Sequence, residues 1–223
     1  MAGAIYAREV LQMVEENRIR PVPYDPRLPV HRIWDLGWND AMSIIMVQKP
    51  APSTLNIINY LEDSQRTYAE YIAEMQTLRY MWGTDWLPHD GTHHDPKSGT
   101  SAEKILRGFG CKVRIIPRID AESRIKAARM MFPRVYIDNT SRKAVTGYLG
   151  AARLIECLKR YKRHVPTTTG EPAAPVHDAV SHGCDAFGGV AEIVDQIRNE
   201  GKRERKAPIP GFRSTVPGAG FLG

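Results

Sequence analysis

Cysteine is scarce. Cys111, Cys157 and Cys184 are spread through 223 residues, and no two form a CxxC pair. That spacing argues against a structural zinc site. So sparse and odd a count fits a reducing compartment, not a disulfide-built fold. No apolar run approaches the ~18 residues that cross a bilayer. The opening stretch, MAGAIYAREVLQMVEEN, is amphipathic and acidic, which is not the pattern of a signal peptide. These absences predict a soluble, intracellular chain with no membrane partner. A phosphate-cradling GxxxxGK[ST] loop is also missing. Its nearest imitation, GTHHDPKS, puts Pro96 where the second glycine belongs, and proline has no N–H to offer a phosphate.

What is present is enough for a packed core. Hydrophobic residues make up 42% of the chain, which excludes a disordered one. The formal charge of +6 is moderate and compatible with a polyanionic partner. Helical spacing of Ile5, Val10, Leu11 and Val14 predicts a first helix. PVPYDPRLPV follows with four prolines and reads as an extended connector. HRIWDLGW, AMSIIMVQ and TLNIINYLED are short apolar runs divided by turn residues, and they predict a three-strand antiparallel meander. A helix is predicted over 67–82 and a short strand at DWLPHD. Next come a helix over 101–110, a strand over 112–119 and a helix in AESRIKAARMMF. RVYID reads as a short extended piece before a long helix over 141–163 and a last helix over about 178–199. The Gly- and Pro-rich basic tail, 201–223, is expected to be disordered. The order is that of an α/β protein with a mixed sheet.

Three acidic positions stand out. Asp35 lies among Ile33, Trp34 and Leu36, where a carboxylate costs free energy unless a metal or cation compensates. Taken alone it also reads as a solvent-facing residue on an edge strand. Asp90 closes the strand DWLPHD, at a strand end where functional groups gather. The following His93 and His94 have no defined zinc-ligand spacing, so that loop also reads as merely polar. The stretch VHDAVSHGCDAFGG, 176–189, holds Asp178, His182 and Asp185. On a helix, His182 and Asp185 share a face and can address one metal. Asp178 and Asp185 lie about 10.5 Å apart along a helix axis, too far to serve one pair of ions together. Asp178 therefore reads as a helix cap or a supporting group behind the ligands, and an ordinary polar helix face stays open as an alternative.

Together these stretches resemble the nuclease domain of phage large terminase subunits, the DNA-packaging motors of tailed bacteriophages. The resemblance runs through VPYDPRLPVHRIWDLGWNDAMSI, LPHDGT and PVHDAVSHGCDAFGG, in the family's order, and covers roughly residues 6–194. It implies an RNase H-like mixed central sheet, a three-strand antiparallel meander followed by parallel strands, flanked by helices. It implies an endonuclease that cuts concatemeric double-stranded DNA with little sequence specificity. Asp35, Asp90 and Asp185 would carry two magnesium or manganese ions, with His182 a ligand or supporting group and Asp178 a possible ligand. The organisation implied is a junction helix over 1–20, a nuclease domain over 21–200 and a basic tail over 201–223. The implied partners are an ATPase motor domain not found in this chain, a portal protein and a small terminase subunit, and the implied location is the host cytoplasm. A catalytically weak docking module, and a relative of junction resolvases or transposases, are the competing readings. Where the family continues Phe-Arg-Tyr, this chain has Phe187-Gly188-Gly189. Among many basic residues, Lys97, Lys104 and Arg142 are the chosen candidates for phosphate contact.

Overall fold

The computed structural model describes residues 3–94, 99–142, 144–166 and 173–199. Its centre is a mixed sheet. Strands β1 (Val30–Asp35), β2 (Met42–Ala51) and β3 (Thr54–Asp63) form the antiparallel meander. β4 (Trp82–Leu87) lies parallel to β1, β5 (Lys112–Ile115) parallel to β4, and β6 (Val135–Ile137) parallel to β3. A two-residue strand β7 (Tyr148–Leu149) pairs antiparallel with β3. The spatial order is β5-β4-β1-β2-β3-β6. The mixed α/β architecture is the one expected.

Side-chain alternation divides the sheet between two cores. Ile33, Ile45, Ile57 and Tyr60 face one layer of helices: α1 (Ala7–Glu15), α4 (Ala121–Met131), α5 (Ala152–Arg160) and α6 (Ser181–Ile193). Trp34, Ile44, Met46, Ile58 and Leu61 face the other, built on α2 (Tyr68–Gln76) and α3 (Ala102–Gly108). Successive strand residues point to opposite faces, so Asp35 shares its face with Ile33 and looks toward α6. The segment set apart as a junction helix contributes Ile5, Tyr6, Val10 and Met13 to the first core, beside Tyr161 and Phe187. Helix α2 starts at a capping box, Thr67 with Glu70. α3 is capped by Ser101 and α4 by Asp120. Among the described residues, no helix is long and apolar enough to cross a membrane.

Three helix expectations need correction. The helix read over 67–82 stops at Gln76: Arg79 takes φ of 53°, turning the chain so that Trp82 opens β4. The long helix read over 141–163 is β7 and then α5. Gly147 and Gly150 have φ of 62° and 109°, conformations that favour glycine and break a helix. The last helix is shorter than read, beginning at Ser181 and ending at Ile193. The basic tail and Lys97 lie outside the described residues.

Candidate metal centre

The end of β1 carries the first acid. Asp35 pairs in register with Ser43 of β2, and Ser43 with Glu62 of β3. Residues paired this way point to one face, so Asp35 and Glu62 lie on the same side, two strands apart, at about 10 Å. Their surroundings differ. Glu62 is buried and neutralised: Arg153 Nε donates to its Oε1 at 3.0 Å, and the Tyr60 hydroxyl donates to its Oε2 at 2.5 Å. Among the described residues, no arginine comes within hydrogen-bond reach of Asp35. Its side-chain partner is His182, whose Nδ1 lies 3.2 Å from Asp35 Oδ2. When Asp35 is ionised its carboxylate can only accept, and the contact then takes its proton from that nitrogen. Burial pushes the Asp35 carboxyl above its usual range, and the His182 contact acts against that rise. The same contact raises His182.

Helix α6 supplies the second acid, Asp185, three residues after His182 and on the same face. Burial first, and then the charge of Asp35, push the Asp185 carboxyl up to about 6. Arg124 of α4 stands 3.8 Å away and opposes this rise. That guanidinium is held at 2.7 Å by Glu192, the residue before the last of α6. Asp35, Asp185, Arg124 and Glu192 line one crevice of about 20 Å³, with Pro88, His89 and Gly189 on its walls. That is room for one water-sized body.

Asp90 comes from the third element, a 3-10 turn (His89–Thr92) directly after β4. It is exposed, and its charge reaches Asp35, raising it further. Asp90 from the post-β4 turn and Asp185 from α6 are thus each coupled by charge to Asp35 of β1. Among the described residues, the oxygens of these three carboxylates do not all gather within 4.8 Å of one another. The other acid of DWLPHD, Asp85, is structural: Arg32 clamps it at 2.7 Å, and the Trp34 indole donates to it at 2.8 Å.

Asp178 is exposed and three residues ahead of α6; its Oδ1 accepts from Val180 N at 3.0 Å. This is a turn ahead of the helix and not a cap, since the N-cap position is Val180. Lys104 is on α3, its Nζ 3.3 Å from His94 Nε2, beside the Asp90 turn. Arg142 is exposed in a bridge to Leu149 at the β3 side of the sheet. Reasoning from sequence overlooked Glu62, Arg153 and Glu192. Glu192 had one readable signal: it lies seven residues past Asp185, two turns along the same helix face.

No protein-family model and no curated protein matches the sequence. Solved structures do match in shape. The large terminase of a thermophilic bacteriophage superposes with a TM-score of 0.62 at 14% identity, over 86% of this chain and 45% of that one. The P22 large terminase nuclease domain gives 0.56 at 16% identity, over 80% of this chain and 89% of that one. The large terminase nuclease of thermophilic phage G20c, solved with bound magnesium, gives 0.52 at 11%, over 85% and 97%. The chain has the fold of a large terminase nuclease domain and spans less than half the length of the first of these proteins.

Proposed function

We propose that this chain is a divalent-metal-dependent endonuclease, the cutting part of a viral DNA-packaging terminase. On this reading it hydrolyses double-stranded DNA with little sequence preference. The observation that carries the reading is the coupling of Asp35 and Asp185 across one small crevice. Burial raises both carboxyls, the charge of Asp35 raises Asp185 further, and a cation would relieve both costs. Asp35, Asp90 and Asp185 are the ligands, and their hard oxygens suit magnesium or manganese. The magnesium-bound state of the G20c nuclease, a neighbour in fold, supports that choice. Ions held by these residues would supply activation of a water and charge stabilisation at the leaving oxygen of a phosphodiester.

The chain's own residues prepare the site. His182 holds one oxygen of Asp35 through Nδ1, fixing how the carboxylate presents the other. Arg124, oriented by Glu192, partly balances Asp185 without closing a tight ion pair, since 3.8 Å leaves the carboxylate oxygens open. Lys104, whose Nζ lies 3.3 Å from His94 Nε2 beside the Asp90 turn, is the proposed contact to the backbone of a bound duplex. Arg142, and Lys97 beyond the described residues, are further proposed contacts. The partners on this reading are duplex DNA, an ATPase motor domain, a portal and a small subunit, in the host cytoplasm.

The test is plasmid nicking with magnesium or manganese. The parent is expected to nick, and Asp35→Ala and Asp185→Ala to lose at least a hundredfold in rate, on the order of 3 kcal/mol of barrier. Equal nicking by either variant would place the chemistry elsewhere.

A further inference from the structure

Beside the carboxylates lies a group of different chemistry. Asp40, His177 and His182 each offer a ligand atom, and the three atoms lie within 4.8 Å of one another. Asp40 comes from the β1–β2 loop, His177 from the segment leading into α6, and His182 from its first turn. His177 Nε2 is 4.0 Å from Asp40 Oδ2. The two imidazole centroids are 4.9 Å apart with the rings nearly perpendicular, at 75°.

What makes this more than a polar cluster is the far side of each ring. His177 Nδ1 is 3.1 Å from Ser181 Oγ, and His182 Nδ1 is 3.2 Å from Asp35 Oδ2. Each histidine thus has Nδ1 engaged by an oxygen of the protein, which leaves Nε2 for an ion; in His177 that is the nitrogen nearest Asp40. Metal-bound histidines are held in this way, through a hydrogen bond from the second ring nitrogen. Asp40 and His177 are exposed, so an ion has a path in from solvent and a free position for water.

We propose that Asp40, His177 and His182 bind a borderline transition ion of the zinc class, at a site separate from the Asp35, Asp90 and Asp185 carboxylates. Two imidazoles and one carboxylate suit zinc, cobalt or nickel; magnesium favours all-oxygen sets. The bound ion ties the β1–β2 loop to the start of α6 and keeps the His182 ring turned toward Asp35. The site stands whether or not the chain cuts DNA.

The test is a cobalt(II) titration of the full chain in excess magnesium, added to compete for the carboxylates, read by visible d–d absorption without DNA. The parent is expected to bind one equivalent. His177→Ala and Asp40→Asn should each weaken binding at least tenfold, while Asp185→Asn leaves it unchanged. Both lost side chains are exposed, so parent-like thermal unfolding without metal serves as the folding control. Zinc should raise the unfolding temperature of the parent but not of His177→Ala. Parent-like cobalt affinity in His177→Ala, or its loss in Asp185→Asn, overturns the proposal. Because no DNA enters the assay, a failure of the nuclease reading leaves this result interpretable.

Discussion

A carboxyl lifted to about 6 makes Asp185 a costly charge in the folded chain at neutral pH. In the unfolded chain its value is near 3.8, so between about pH 4 and 6 the folded state binds the extra proton. Stability from this group is therefore present at low pH and falls as pH rises through that window. A rise of that size corresponds to about 3 kcal/mol. The side chain is 30% exposed, and solvent screening brings the cost to roughly 1–2 kcal/mol. Asp185→Asn should then unfold about 2–6 °C higher than the parent at pH 8 and at the same temperature at pH 4, while losing cleavage. Differential scanning calorimetry at the two pH values reads this directly; a lower unfolding temperature at pH 8 would show that the charge is not costly. Asp35 stood out in the sequence because it interrupts an apolar run, and Asp185 because it falls on one helix face with His182. Asp40 and His177 were not, because their meeting with His182 depends on how the β1–β2 loop folds back over α6. Arg124 was legible only as one basic residue among many, since nothing in α4 announces that it packs across α6.

At the scale of elements, α6 is the part on which the site depends, and its glycines are the informative positions. A Cβ on Gly188 would collide with Cγ and Cδ of Arg124. The arginine stem crosses the helix where a side chain at 188 would stand. Helix propensity alone predicts that Gly188→Ala stabilises by about 1 kcal/mol. We expect no gain in the parent, because Arg124 must leave Glu192, and the full gain in an Arg124→Ala background. A double-mutant cycle by urea unfolding measures the difference; additive effects would mean the two side chains do not compete. The start of α6 is held from the other side. Arg153 joins buried Glu62 to the carbonyl of Ala179 at 3.0 Å, just before the helix. Removing it strands a buried charge, so Arg153→Met should cost about 3–5 kcal/mol. Adding Glu62→Gln should restore part of that in the same unfolding experiment. The meander and α6 were readable from period and apolar runs. The false long helix over 141–163 shows the limit: Gly147 and Gly150 carried the break, and the basic, amphipathic run around them concealed it.

At the scale of the molecule, the order of motifs was legible and their spatial arrangement was not. Nothing local to Trp34-Asp35 says that β1 sits between β4 and β2, yet that position places Asp35 between Asp90 on one side and α6 above. The fold also determines which cations lie near the acids. Lys104 stands beside the Asp90 turn, whereas Arg142 is on the β3 side of the sheet. If duplex DNA lies across the carboxylates, Lys104 meets a phosphate and releases a counterion. Such contacts add close to one unit each to the slope of log affinity against log salt and carry no base information. Lys104→Ala should therefore weaken binding equally on two unrelated duplexes and reduce the salt slope by about 1. Arg142→Ala, acting farther along the sheet, should weaken binding less. Fluorescence anisotropy with labelled duplexes, in calcium to suppress cleavage, gives both quantities. An unchanged slope for Lys104→Ala, or a loss confined to one sequence, would move the DNA path away from the Asp90 turn.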